Sequence, residues 1–108
     1  MPQRFEINVR PAARADLQAI YDWIAERGGP SVAVDFVRRI QRSYQSLASF
    51  PERGTRRDYL YPGLRTFGMG RRVTIAFRIR GHEVIVMRIL YGGRDLDAAL
   101  DEEPESGD

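Results

Sequence analysis

The sequence predicts an α+β fold in which a helical hairpin covers one face of a small antiparallel sheet. A short segment of alternating apolar and polar residues comes first, two segments with helical spacing follow, and three further alternating segments come last. The apolar stripes of the helices and the apolar face of the strands must be buried against each other, which places both helices on one face of the sheet. The opposite face, or its rim, is then expected to be free for function.

The first strand and the two helices are predicted from residue spacing. Residues 4–10 alternate between polar and apolar side chains, and Pro11 ends this strand and suits the first turn of a helix. Apolar residues then recur every three or four positions up to Arg27, where a Gly-Gly-Pro sequence breaks the helix. A second helix is predicted from Ser31 to about Ser49. So short a break predicts an antiparallel helical hairpin.

The remaining strands follow a predicted loop over residues 51–62, which are rich in Gly, Pro and Arg. Alternation returns in residues 64–69 and again in 72–79, with a tight hairpin after the second of these segments. The last strand, residues 84–91, is apolar on both faces except at Arg88, which places it inside the sheet.

Charge divides the chain into two parts. All 17 basic residues are Arg, and seven of the 15 acids lie at or after Asp95, so that residues 1–94 carry a formal charge of +9. We expect residues 1–100 to form a single domain and the acidic residues 101–108 to be a disordered tail. A genomic composition bias could account for the absence of Lys but not for this asymmetry. A cationic domain favours anionic partners, either nucleic acid or an acidic protein segment.

Several kinds of chemistry are not expected. The chain has no Cys, no Lys and one His, which argues against disulfides, Schiff-base chemistry, the usual transition-metal sites and any other cofactor, and no residue is predicted to be catalytic. Its glycine pairs lack the spacing of phosphate-binding loops. No apolar run is long enough for a membrane span or a signal peptide, so a cytoplasmic location is expected.

Arg88 is the most unusual of the arginines, because an unpaired guanidinium on an apolar strand is costly to bury. Two interpretations remain open. Arg88 forms a buried ion pair with an acid of the first helix, such as Asp16 or Asp22, or it lies in a functional pocket open to solvent.

The helices carry two further candidate groups. Trp23, with Tyr21 near it, lies at the edge of the apolar stripe, where it is either part of the core rim or an anchor for a partner. The second group is a basic patch on the second helix, which is either a solvated face, with an ion pair between Asp35 and Arg39, or a binding site. This patch consists of Arg38, Arg39 and Arg42.

The ordered set of segments resembles the ParE toxins of the ParE/RelE superfamily. The helical half of these toxins resembles residues 11–17, 20–24 and 47–54. Their sheet half resembles residues 62–65, 72–78 and 88–95. The resemblance covers about residues 3–100 and implies the ParE/RelE fold and the role of toxin in a type II bacterial toxin–antitoxin system.

The resemblance also implies a partner and a target. ParE toxins poison DNA gyrase, whereas their RelE relatives cut messenger RNA on the ribosome. A ParD-like antitoxin would lie along the helical hairpin and the sheet edge. The residues we expect it to contact are Tyr21, Trp23, Arg38 and Arg42.

Individual residues favour gyrase over messenger RNA as the target. Arg65 and Arg94 stand at positions where RelE-type ribonucleases use basic side chains, but Thr74 stands where a strand arginine is expected, and no Tyr or His follows Arg94. A ribosome-dependent endoribonuclease is therefore the alternative function, and a simple binding module on the same fold is a third. Direct binding of nucleic acid remains open. The candidate target-binding residues are Arg65, Arg72, Arg88, Arg94 and Asp95.

Overall fold

A computed structural model of the chain describes residues 4–92. The elements in this range are β1 Glu6–Val9, α1 Pro11–Gly28, α2 Pro30–Gln45, a 3-10 turn Ser46–Ala48, β2 Thr55–Arg56, β3 Arg65–Met69, β4 Val73–Arg80 and β5 Glu83–Tyr91. The predicted α+β class and the order of strand, two helices and three antiparallel strands are confirmed. The short strand β2 lies inside the segment for which only a loop was predicted. Neither helix of the described range is long and apolar enough to cross a lipid bilayer.

The strands form one mixed sheet in the order β1-β5-β4-β3-β2. β3, β4 and β5 are antiparallel neighbours, as predicted, and β2 adds two residues to the free edge of β3. β1 pairs with β5 in parallel, in a register that runs from Glu6 opposite Glu83 to Val9 opposite Val86. The apolar strand β5 therefore lies between two others, as its sequence predicts.

The helical hairpin turns at a single residue. Gly29 separates α1 from α2 with φ of 92°, a left-handed conformation that favours glycine, and its N–H donates to the carbonyl of Ala25. Pro30 then begins α2, where it needs no backbone N–H. Tyr21 of α1 shares a groove with Val37 of α2, as the predicted antiparallel arrangement requires.

The main core lies between the helices and one face of the sheet. The helices contribute Ala13, Leu17, Ile20, Ile24, Ala33, Ile40 and Tyr44. The sheet contributes Val73, Ile75, Phe77, Val84, Val86 and Ile89. Both helices thus pack on the same face, which confirms the predicted layering.

The other face of the sheet is partly covered, contrary to our expectation that it would be free. A second buried cluster forms there from Leu64, Ala76, Ile85 and Met87. Leu60 and Tyr61, from the loop before β3, pack against this cluster. The guanidinium of Arg78 lies 5.4 Å from the centroid of the Tyr61 ring. The loop covers the apolar side chains of β4 and β5 that would otherwise face water.

The stability of the fold should fall at alkaline pH because of Tyr44, which is buried in the main core. Burial raises the pKa of its phenol, and a hydrogen bond with Gln41 and the charge of Arg14 oppose part of this rise. Because the pKa of the Tyr44 phenol is higher in the folded state, its contribution to stability is fully present below the pKa of an unfolded tyrosine, about 10. This contribution is lost as the pH rises from that value through the pKa of the folded state. Melting temperatures should therefore fall above about pH 10.

The assignment to Tyr44 can be tested with two tyrosine variants. The chain has no Lys or Cys, so tyrosines are the side chains that titrate near pH 10, and arginines lose their protons only at higher pH. Tyr44→Phe should reduce the alkaline fall in melting temperature, while Tyr59→Phe, at a side chain 75% exposed, should leave it unchanged. Equal pH profiles for the parent and Tyr44→Phe would remove Tyr44 as the cause.

Candidate functional site

An aromatic cleft opens between α1 and the end of β5. Its volume is about 250 Å³, and its lining residues are Asp16, Ala19, Ile20, Trp23, Ile89 and Tyr91. The rings of Trp23 and Tyr91 lie 5.2 Å apart, and Phe36 of α2 meets Tyr91 edge-on at 5.7 Å. Trp23 nevertheless remains 45% exposed. It therefore belongs to the core rim and still offers a large apolar surface to a partner.

Arg27 packs on the indole ring of Trp23. Its guanidinium lies 3.9 Å from the centroid of the indole, and its Nη1 donates a hydrogen bond of 3.0 Å to the carbonyl of Trp23. A cation–π contact at an exposed site contributes about 0.5–1 kcal/mol. A partner that enters the aromatic cleft would meet the indole ring with a positive charge at its border.

Tyr21 lies on a different side of α1 from Trp23. It lines a groove of about 300 Å³ between the two helices, which we call the helix groove. The lining residues are Arg14, Leu17, Gln18, Tyr21, Val37 and Gln41. The two aromatic residues that the sequence places close together therefore serve two separate depressions.

A third depression, the basic cleft, lies between α2 and β3. Its volume is about 480 Å³, and it is lined by Arg39, Arg42, Ser43, Ser46, Arg53 and Met69. Four of these residues are spaced i, i+3, i+4 and i+7 along α2 and the 3-10 turn, so they share one face. The helix arginines were predicted as a patch, but Ser43 and Ser46 were not assigned to it, although their helical spacing places them on the same face.

Arg53 supplies the opposite wall of the basic cleft from the loop before β2. Its Nη1 donates to Ser46 Oγ at 2.8 Å, and its guanidinium lies 5.0 Å from the ring centroid of Phe67. Ser46 Oγ in turn donates to the carbonyl of Ser43 at 2.6 Å. Because Arg53 reaches the cleft through a loop, no periodic pattern in the sequence could have placed it there.

The ion pair considered between Asp35 and Arg39 is not formed in the structure. The guanidinium of Arg39 lies instead 5.8 Å from the ring centroid of Phe36. Within residues 4–92, no carboxylate lies within ion-pair distance of Arg39, Arg42 or Arg53. Arg38 is exposed on the same helix. The helix patch is therefore a group of positive charges without acidic partners in the described part of the chain.

Arg88 forms the buried ion pair that was one of its two interpretations. Its Nε and Nη2 each donate to the carboxylate of Asp16 at 2.8 Å, and Arg88 and Asp16 are 5% and 6% exposed. The same carboxylate accepts a hydrogen bond of 2.8 Å from the backbone N–H of Ile89. Arg88 thus lies inside the fold and offers no surface to a target, which corrects its nomination as a contact residue.

The two other candidate target residues in the described range, Arg65 and Arg72, lie apart. Arg65 begins β3 and is half-buried, while Arg72 is exposed in the turn between β3 and β4, at the opposite end of β3. The carbonyl of Arg72 accepts a hydrogen bond from the N–H of Gly92. Arg94 and Asp95 lie outside the described residues. The structure therefore does not bring Arg65 and Arg72 together.

The one histidine takes part in packing. The His82 ring stacks on Phe5 with centroids 4.6 Å apart, in the turn between β4 and β5 where the sequence predicts it. Arg72 lies at the other end of β4, an eight-residue strand about 25 Å long. The imidazole and this exposed arginine are thus too far apart to act on the same bond.

A match to a protein family decides which family this chain belongs to. A family model described as the ParE toxin of the type II toxin–antitoxin system parDE matches residues 7–96, which include both helices and every described strand residue except Glu6. The chain belongs to the ParE toxin family. The resemblance found in the sequence is thereby confirmed, and the chain is a ParE toxin of the ParE/RelE superfamily.

Individual relatives agree with this assignment. Toxin ParE3 of Caulobacter vibrioides is 35% identical over 94 residues, which cover 87% of this chain and 92% of the relative. Toxin ParE1 of Mycobacterium tuberculosis is 33% identical over 91 residues, covering 83% of this chain and 92% of the relative. Both relatives therefore correspond to this ParE chain over nearly their full length.

Solved structures show the same fold. A chain of the chromosomal ParDE system from P. aeruginosa matches with a TM-score of 0.73 at 30% identity, covering 82% of this chain and 97% of that one. A chain of the RelBE2 toxin–antitoxin complex of Mycobacterium tuberculosis matches with a TM-score of 0.58 at 16% identity, covering 87% and 98%. The second likeness concerns the fold alone. The ParE/RelE-like architecture predicted from the sequence is confirmed.

Proposed function

We propose that this ParE toxin inhibits DNA gyrase in the cytoplasm and that a ParD-like antitoxin neutralises it. The observation that carries the proposal is the match to the ParE family across both helices and the sheet. The resemblance of the sequence to ParE toxins implies gyrase as the target, and the structural match to the ParDE system supports an antitoxin of the ParD type.

The surroundings of Thr74 favour inhibition without hydrolysis by the toxin. A RelE-type ribonuclease needs a cation and a general acid or base that act on the same phosphate. Thr74 stands where a strand arginine is expected, and its partners across the neighbouring strands are Gly68 and Leu90. None of these three side chains carries a positive charge, and none is a general acid or base at neutral pH. The ribonuclease remains the alternative function.

A paired assay tests the target. Purified full-length toxin should block supercoiling by purified DNA gyrase and accumulate cleaved DNA, and it should leave messenger RNA intact in a translating extract. Prior mixing with the ParD-like protein encoded beside the toxin gene should restore supercoiling. Messenger RNA cleavage with unimpaired supercoiling would replace the gyrase proposal with the ribonuclease.

The aromatic cleft is the proposed anchor point for the antitoxin. Trp23 combines an exposed indole with a neighbouring guanidinium, and tryptophans are frequent hot spots in protein interfaces. In this proposal Tyr21 contacts the antitoxin in the helix groove. Arg38 and Arg42, both exposed on α2, meet its acidic residues.

Substitution of Trp23 tests this anchor. Trp23→Ala should weaken antitoxin binding by at least about 2 kcal/mol, or roughly thirtyfold, measured by calorimetric titration. Phe50→Ala is the matched control, because Phe50 is 71% exposed and lines none of the three depressions. Thermal melts of both variants would establish that they are folded. Equal affinity of Trp23→Ala and the parent would place the anchor elsewhere.

A further inference from the structure

The basic cleft presents positive charge from two sides. Arg39 and Arg42 come from α2, and Arg53 faces them from the loop before β2. The hydroxyl of Ser43 lies on the same lining, and Ser46 Oγ holds Arg53 in place at 2.8 Å. The cleft therefore joins three cations to hydroxyl groups in a space of about 480 Å³.

These charges are not balanced within the described part of the chain. Asp35 and Glu52 are close to the cleft arginines in sequence, yet neither lines the cleft or forms an ion pair with Arg39, Arg42 or Arg53. Like charges held near one another repel, so an anion bound between them would be favourable. Residues 4–92 carry 16 arginines against eight acids, and this excess would attract a polyanion from a distance.

The lining distinguishes between classes of anion. An acidic peptide usually anchors apolar side chains in a pocket, but Met69 is the one apolar residue lining this cleft. Arginine and serine are among the side chains that contact the phosphates of nucleic acids, and arginine can bind a phosphate with two parallel hydrogen bonds. Among residues 4–92, no aromatic ring lines the cleft to stack on the bases of a single strand. The chemistry therefore matches a sugar–phosphate backbone.

We infer that the basic cleft binds the phosphate backbone of duplex DNA without regard to sequence. Arg39 and Arg42 make the phosphate contacts, and Arg53 closes the opposite wall. This binding does not require gyrase as the target, because it belongs to the free toxin. If gyrase is the target, the cleft gives the toxin a second point of attachment on the DNA that the enzyme holds.

Two charge-matched double variants test the inference. Arg39→Gln with Arg42→Gln removes two charges from the cleft, and Arg4→Gln with Arg71→Gln removes two exposed charges that do not line it. Each full-length protein is titrated into a short fluorescent DNA duplex, with anisotropy recorded at several salt concentrations. Thermal melts confirm that both variants are folded.

The cleft variant should bind the duplex at least about tenfold more weakly, and the slope of log affinity against log salt should become shallower by about 2, since each phosphate contact contributes about 0.9. The control should stay close to the parent in affinity. Equal losses in both variants would reduce the effect to net charge and overturn the inference. Failure of the parent to bind the duplex would also overturn it. A fluorescent glutamate-rich peptide is titrated in parallel, and binding of this peptide without binding of the duplex would assign the cleft to an acidic protein segment instead. These outcomes are independent of the supercoiling assay.

Discussion

Replacing Arg88 with Met should lower the free energy of unfolding by about 3–5 kcal/mol, because it leaves a buried carboxylate without its cation. Arg88 makes two hydrogen bonds to Asp16, and both side chains lie almost entirely within the fold. Met has a similar length and fills most of the space, so the loss comes from the unpaired charge rather than from a cavity. Urea unfolding at neutral pH measures the change.

The double variant Asp16→Leu with Arg88→Met separates the cost of the unpaired carboxylate from the cost of losing the Arg88 side chain. Replacing both members of a buried ion pair with apolar groups is often neutral or stabilising. Here the backbone N–H of Ile89 also loses its acceptor, at a cost of about 1–3 kcal/mol. The double variant should therefore be more stable than Arg88→Met alone. An Arg88→Met protein as stable as the parent would contradict the buried ion pair.

Gly54→Ala should cost about 2–4 kcal/mol, from an unfavourable backbone conformation together with a steric clash. Gly54 has φ of 84°, and a Cβ built on it would lie 2.3 Å from the carbonyl oxygen of Thr66. Thr66 pairs with Thr55 on one side and Ala76 on the other, so its backbone has little freedom to move away. The variant should melt at a lower temperature and lose the pairing of β2.

Gly63→Ala is the matched control for Gly54→Ala. Gly63 has a similar φ of 79°, but a Cβ built on it meets nothing within 4 Å. Its substitution should therefore cost only the conformational part, about 1–2 kcal/mol. If both variants lost the same stability in urea unfolding, the contact between Gly54 and β3 would be weaker than the geometry indicates.

The periodic parts of the fold could be predicted from the sequence. The stripe of α1 has its buried residues at the predicted spacing, and Pro11 begins this helix as expected. β5 is apolar on both faces because the helices cover one face and Leu60 and Tyr61 pack against the other, and burial on both faces is what its continuous apolar sequence indicates. Both features depend on local patterns of burial, which a sequence records directly.

Features that depend on distant partners could not be predicted in the same way. β2 is only two residues long, too short for alternation to be visible, and it exists because β3 offers an edge. The parallel pairing of β1 with β5 joins residues almost 80 positions apart, which no local pattern specifies. The loop residue Tyr61 covers the second face of the sheet in a segment that its Gly and Pro content marks only as irregular.

The sequence predicted some residues of the candidate site but not the clefts that they form. Asp16 was one of two acids named as possible partners of Arg88, and the structure shows this pair. The choice between Asp16 and Asp22 needed the geometry, since both lie on the same helix. The basic cleft joins α2 to a loop residue, Arg53, and its existence depends on how the chain after α2 turns back along β3.

The pairing of β1 with β5 ties the beginning of the domain to its end. β1 has its strand partner only when residues 83–86 are present, and the charge of Asp16 has its cation only when Arg88 is present. A nascent chain therefore cannot complete the described sheet until β5 has left the ribosome. A messenger RNA truncated before the codon for Arg88 would encode a polypeptide unable to close the sheet, and such a product should be degraded instead of acting as a poison.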